Sequence, residues 1–187
     1  MPQFLFRKFF LAGCFLAVLF CLLSPAAGGA GELRDGNKNL ETMYASVSYR
    51  DDPALLDFGR RIGAGEAALV RDDARAREMT KEGIDQLVFR VKTLLDMHPP
   101  KFRFSIIVLS TNKEIDEAYR ALGLGGTAPI AFYRQKSHTV YVSLDKLSPG
   151  VLAHEVAHAV INAFFSTPPP AQMQEILAQY VDKHLWD

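Results

Sequence analysis

Cysteine is nearly absent: the chain has two, Cys14 and Cys21, and both sit in an apolar stretch near the N-terminus. A domain that begins after that stretch has no disulfide, no thiol nucleophile and no cysteine ligand for a metal. Its stability must come from its core or from an ion held by other side chains. An excess of charge of one sign is also missing. Lys plus Arg and Asp plus Glu number 21 each, which leaves no basic field to attract nucleic acid and no acidic tail. After residue 23 no apolar run approaches the roughly 20 residues that a membrane span requires. Internal repeats are lacking, and Gly125-Gly126 does not sit between a strand and a helix as a phosphate-binding loop would.

The N-terminal stretch itself is informative. Arg7 and Lys8 precede an apolar run from Phe9 to Leu23, which ends in Ser24-Pro25-Ala26-Ala27-Gly28-Gly29-Ala30. A basic start, a short apolar middle and small residues at the end read as a signal peptide over residues 1–30, with cleavage expected between Ala26 and Ala30. The apolar run is short for a permanent anchor. Leu11-Ala12-Gly13-Cys14 resembles a lipoprotein cleavage box, but the residues after Cys14 stay apolar where a lipoprotein turns polar. The expectation is an exported protein, periplasmic or secreted, with no membrane partner once the leader is removed; membrane anchoring and lipidation are the minor alternatives.

At 187 residues and 49% hydrophobic content, the remainder suits one domain. Residues 31–63 read as a lead segment of uncertain structure: 31–39 are polar, 43–49 alternate weakly like a strand, and 53–61 allow a turn or two of helix. Apolar residues at three- and four-residue spacing predict one or two amphipathic helices over 65–97, closed by His98-Pro99-Pro100, and the charges of 71–82 are expected on a solvated face. A buried strand is predicted at 104–109 and a helix at 113–122. Residues 130–134 and 139–144 read as a hairpin turning at 135–138. Ser148-Pro149 is an N-cap followed by proline at the first helical position, predicting a helix over 149–165. The three prolines at 168–170 end it, and a last helix runs from about 171 to 185. This order predicts an α+β domain over residues 64–187.

Within the helix that starts at Pro149 lies His154-Glu155-Val156-Ala157-His158. Residues four apart share one helix face, so the two imidazoles can meet one metal ion, while Glu155 points about a quarter turn away and can reach a water beside it. That is the arrangement of metal-assisted hydrolysis. The apolar neighbours Val151, Leu152, Val156, Ala159, Val160 and Phe164 mark the helix as largely buried, where paired histidines without an ion would be costly. A catalytic zinc site needs a third protein ligand. Glu175, Asp182 and His184 are the downstream candidates. Periodicity puts Met173, Ile176, Leu177 and Tyr180 on the apolar face of the last helix and centres Glu175 on the polar face, which faces either bulk water or a water-filled cleft.

The histidine motif, a short proline-containing connection and Glu175-Ile176-Leu177-Ala178-Gln179-Tyr180 together resemble the gluzincin clan of zinc metallopeptidases, in particular its small peptidase-MA-like and minigluzincin members. In those families a glutamate on the following helix, in a context such as Glu-Gly-Leu-Ala-Glu-Tyr, is the third zinc ligand. Glu175, Leu177, Ala178 and Tyr180 match that pattern; Ile176 and Gln179 depart from it, and the spacing from His158 to Glu175 is slightly short. The resemblance covers about 130–185. It implies a small zincin-like domain, one zinc per chain on His154, His158 and Glu175, and Glu155 as general base. It also implies peptide or protein substrates paired to an exposed edge strand at 130–133.

The expectation is therefore an exported, monomeric zinc peptidase with no nucleic-acid partner. The alternative is a metal-binding or interaction domain outside the cytoplasm that performs no catalysis and has no need of Glu155. Tyr180 and His184 are available to stabilise an oxyanion, but both fall on the predicted apolar side and are expected in the core. His138 reads as an exposed turn residue, His98 as a helix cap and Trp186 as an anchor for the terminal helix.

Overall fold

The computed structural model describes residues 37–64 and 73–187. The expected signal peptide and the first part of the predicted 65–97 helix lie outside the described residues. Five strands form one mixed sheet: β1 (Lys38–Glu41), β2 (Ala45–Tyr49), β3 (Phe104–Leu109), β4 (Ala131–Arg134) and β5 (Thr139–Ser143). Their order is β1-β2-β3-β5-β4. The three central strands run parallel, while β1 and β4 pair antiparallel at the two edges. Five helices complete the described part of this α+β fold: α1 (Asp52–Arg61), α2 (Asp73–Leu95), α3 (Asn112–Ala121), α4 (Pro149–Phe164) and α5 (Ala171–His184).

Alternation along β3 divides the core. Ile106 and Val108 join the large cluster with residues of α1, α2, α4 and α5, whereas Ile107 and Leu109 pack on the other face with Ile115 and Ala118 of α3. Residues 38–63, read from the sequence as a lead segment, are integral to the larger cluster through Leu40, Val47, Tyr49, Leu55 and Phe58. The crossing of α1 and α2 is close because Gly59 lacks a side chain. A Cβ there would lie 2.3 Å from Thr80 Oγ1, a buried hydroxyl that donates to the Ala76 carbonyl at 2.8 Å. Buried Ala76 and Thr80 show that the 71–82 stretch is not wholly a solvated face.

At the end of α2, Asp96 takes the left-handed conformation (φ 50°), and the amides of Asp96 and Met97 return to the carbonyls of Thr93 and Lys92. This closure satisfies the last carbonyls and buries Met97. The expected cap at His98 is corrected to Asp96 and Met97. Among the described residues no helix is long and apolar enough to cross a membrane.

Helix α4 starts as its sequence dictates: Ser148 Oγ accepts from the Val151 amide at 3.2 Å, with Pro149 behind it. Leu152, Ala153, Val156, Ala157, Ala159, Val160 and Ile161 are all buried, because the sheet, α2 and α5 surround the helix. Helix α5 differs from the periodicity reading. Its buried residues are Ala178 and Val181, followed by Leu185, while Met173, Ile176 and Tyr180 are exposed. The docking of two helices decides this rotation, not the count of apolar residues. Small Ala178 lets α5 approach α4, and Asp182 reaches the α4 N-terminus, where a Cβ on Gly150 would lie 2.0 Å from its Oδ1. The terminal anchor is likewise corrected: Leu185 is 2% exposed and Trp186 66%. Arg90 of α2 secures this last turn by donating to the carbonyls of Leu185 at 3.0 Å and Asp187 at 2.9 Å.

Candidate functional site

The 3.6-residue repeat of α4 stacks His154 and His158 on one face, and their Nε2 atoms lie 3.3 Å apart. The rotation of α5 brings Glu175 to the same point. Its Oε1 is 3.4 Å from His154 Nε2 and its Oε2 is 3.5 Å from His158 Nε2. These three side chains offer ligand atoms that all lie within 4.8 Å of one another, close enough for a single cation to touch all three. Glu175 itself therefore looks into a cleft. Both histidines are partly buried there, and the Glu175 side chain is about half exposed (49%). Burial and the neighbouring His154 hold the His158 imidazole below its ordinary pKa, which favours the neutral ring that a metal needs.

Glu155 lines the same cleft, which has a volume of about 490 Å³ between α4, the start of α5 and edge strand β4. Loss of water around its carboxyl raises the pKa to about 7; the Tyr133 backbone N–H, which donates to it, opposes the shift, and the nearby Glu175 charge adds to it. The hydrogen-bond pattern of the hairpin explains why that N–H is free. Ser143 N–H donates to the Ile130 carbonyl, and with the register Ala131↔Val142 and Phe132↔Tyr141 the main-chain groups of 130, 132 and 134 turn toward β5. Those of Ala131 and Tyr133 turn outward along the cleft. The Tyr133 phenol approaches His138 Nδ1 at 3.0 Å, and burial keeps it protonated by pushing its pKa to about 12.

The other downstream candidates do not reach the histidines. Asp182 sits against Gly150, and His184 pairs with Asp187 while its ring packs 4.6 Å from that of Tyr180. Tyr180 and His184 neither line the cleft nor enter the core, contrary to the expectation for the terminal helix. His138 is the exposed turn residue expected, in a left-handed conformation (φ 47°).

Two residues of the site carried no signal that the sequence reading used. Gln174 lines the cleft beside the histidines and donates its amide to the Pro169 carbonyl at 2.8 Å. Asn162 donates to the His158 carbonyl at 2.8 Å and to Gln174 Oε1 at 2.9 Å. The only available hint was that Asn162 follows His158 by four residues and so lies on the same helix face. Compared with known proteins, the chain matches no family model, no curated protein and no solved structure. The case for function rests on the geometry of these side chains.

Proposed function

We propose that the protein is an exported zinc peptidase of gluzincin-like architecture, in which His154, His158 and Glu175 hold one zinc ion and Glu155 is the general base. One observation carries the reading: the two Nε2 atoms lie 3.3 Å apart, and the Glu175 carboxylate straddles them, with Oε1 3.4 Å from His154 and Oε2 3.5 Å from His158. Ligands about 2.0–2.1 Å from a tetrahedral zinc are about 3.3–3.4 Å from one another. The two nitrogens thus have the spacing of one edge of such a tetrahedron, and the carboxylate beside both would supply a third donor, leaving one corner open. When bound by three protein ligands, zinc lowers the pKa of water at its open position to about 7 and polarises a carbonyl.

The chain's own groups supply the rest. Glu155 takes a proton from the attacking water as its oxygen bonds to the peptide carbonyl carbon, and returns that proton to the nitrogen as the C–N bond breaks. Burial raises the proton affinity of this carboxyl, which favours its taking the proton. The Tyr133 N–H keeps the carboxylate at the cleft wall. An extended substrate meets the outward N–H and C=O of Ala131 and the C=O of Tyr133, main-chain contacts that favour peptides with little preference for sequence.

The test is hydrolysis of an unfolded, fluorophore-labelled protein by the mature chain with one equivalent of zinc. The reading expects cleavage that stops on chelation, returns with zinc, and is lost in Glu155→Gln although the metal stays. Zinc retention without any cleavage of unfolded proteins would instead support the alternative, a metal-binding domain without catalysis.

A further inference from the structure

We propose that Arg134 selects peptides that carry an acidic side chain on the face of β4 turned away from the cleft. The proposal rests on the edge-strand contact in the reading above and adds one side-chain preference to it; zinc and turnover have no part in its geometry. Successive residues of a strand point to opposite faces of the sheet. Ala131 and Tyr133 pack with the large cluster on the α4 side, whereas Phe132 packs with Ile107, Ile115 and Tyr141 on the α3 side. Arg134 therefore shares the α3 side with Phe132.

The register of the strands lays out two rows on that side. Arg134 stands opposite Thr139, Thr139 opposite Ser105, Ser105 opposite Ser46, and Ser46 opposite Glu41. This polar row runs from one edge of the sheet to the other, and its two end charges differ in their partners. Glu41 accepts from Arg103 at 2.6 Å and from Ser46 Oγ at 2.6 Å. The partly buried Arg134 side chain makes no ion pair or hydrogen bond among the described residues. Four strand spacings of about 4.8 Å, roughly 19 Å in all, keep Glu41 from neutralising it. The neighbouring row is apolar at the same edge: Phe132 stands opposite Tyr141, and their rings stack with centroids 4.6 Å apart.

An extended peptide that pairs with the outward N–H and C=O of Ala131 and the C=O of Tyr133 becomes a sixth strand, and its residues opposite Phe132 and Arg134 lie on the α3 side. Opposite charges directly across such a pair attract and like charges repel. The residue opposite Arg134 is therefore best acidic, and the one opposite Phe132, two positions away, is best apolar. An acid shifted by one position turns to the other face, the side of Glu155 and Glu175. Lys136, exposed in the turn that follows and likewise without an acidic partner among the described residues, adds to the positive field at this end of β4.

The test is binding of end-blocked, fluorescein-labelled peptides of one non-repeating, strand-forming sequence that carry Glu, Gln or Lys at one position at a time. Anisotropy titrations use the mature chain with zinc and again after chelation. At its best position Glu is expected to bind about two- to fivefold more tightly than Gln, with Lys weaker than Gln and no such gain one position away. Arg134→Gln removes the preference, Arg134→Lys keeps it, and Arg134→Glu reverses it in favour of Lys, which a merely structural role would not do. Equal affinities for Glu and Gln in the wild type, a preference that survives Arg134→Gln, or no binding of any peptide overturns the proposal. Either the Gln or the Glu variant decides alone if the other fails to fold. The titrations need neither metal nor turnover, so failure to bind zinc or to cleave protein would sink the hydrolase reading and leave the charge preference standing.

Discussion

Replacing Glu155 by glutamine should stabilise the metal-free protein above about pH 4.5, with the full effect reached above about pH 7. Burial raises the carboxyl from its ordinary value of 4.5 to about 7. In the unfolded chain the group ionises above 4.5, whereas in the fold it resists ionisation until about 7. The protonated form's contribution to stability is thus fully present below about pH 4.5 and is lost as pH rises through about 7. A gap of roughly 2.5 pKa units corresponds to about 3 kcal/mol at full development. Glutamine keeps the acceptor for the Tyr133 N–H and never ionises, so it should avoid that loss. Urea denaturation of chelator-treated wild type and Glu155→Gln, followed by circular dichroism, would show near-equal stability at about pH 4. At about pH 8 the variant should lead by about 2–3 kcal/mol. A difference that does not change with pH, or a less stable variant at about pH 8, would refute the assignment of a buried, desolvated carboxyl.

Other expectations concern packing and the sheet edge. Gly59→Ala places a methyl 2.3 Å from Thr80 Oγ1, and Gly150→Ala places one 2.0 Å from Asp182 Oδ1. The first displaces a buried hydroxyl and should cost about 2–3 kcal/mol by thermal or urea unfolding; the second meets the end of an exposed side chain and should cost about 1 kcal/mol or less. Equal losses at the two positions would count against the tight α1–α2 crossing. Ala131→Pro removes an outward N–H from the edge strand without touching the β4–β5 ladder. It should raise KM for an unfolded substrate about tenfold, the weight of one hydrogen bond, while zinc content stays the same. An unchanged KM would remove the Ala131 N–H from substrate binding.

Elements whose partners are local in sequence were legible before the structure. Ser148-Pro149 announced α4, the continuous apolar run 104–109 announced β3, and the two histidines at i and i+4 needed only a helix to bring them together. What escaped depends on contacts between distant segments. Strand β1 has a single buried residue, Leu40, so its four residues carry no alternation that a lone segment could display. The face that α5 buries follows from Ala178 and Val181 meeting α4, and larger apolar residues pointed to the wrong side. The same rotation brings Glu175 to the histidines, which periodicity left open between solvent and cleft. Gln174 and Asn162 were unremarkable polar residues until the chain reversal at 165–170 brought them together beside His158.

The most direct test of the central claim is zinc stoichiometry of the mature protein by elemental analysis, for wild type, Glu155→Ala and Glu175→Ala. The account predicts one zinc per chain in the wild type and in Glu155→Ala, and a weakened or lost ion in Glu175→Ala. A wild-type protein that holds no zinc even after the metal is added back would contradict it, leaving His154, His158 and Glu175 as neighbours that bind one another and nothing else.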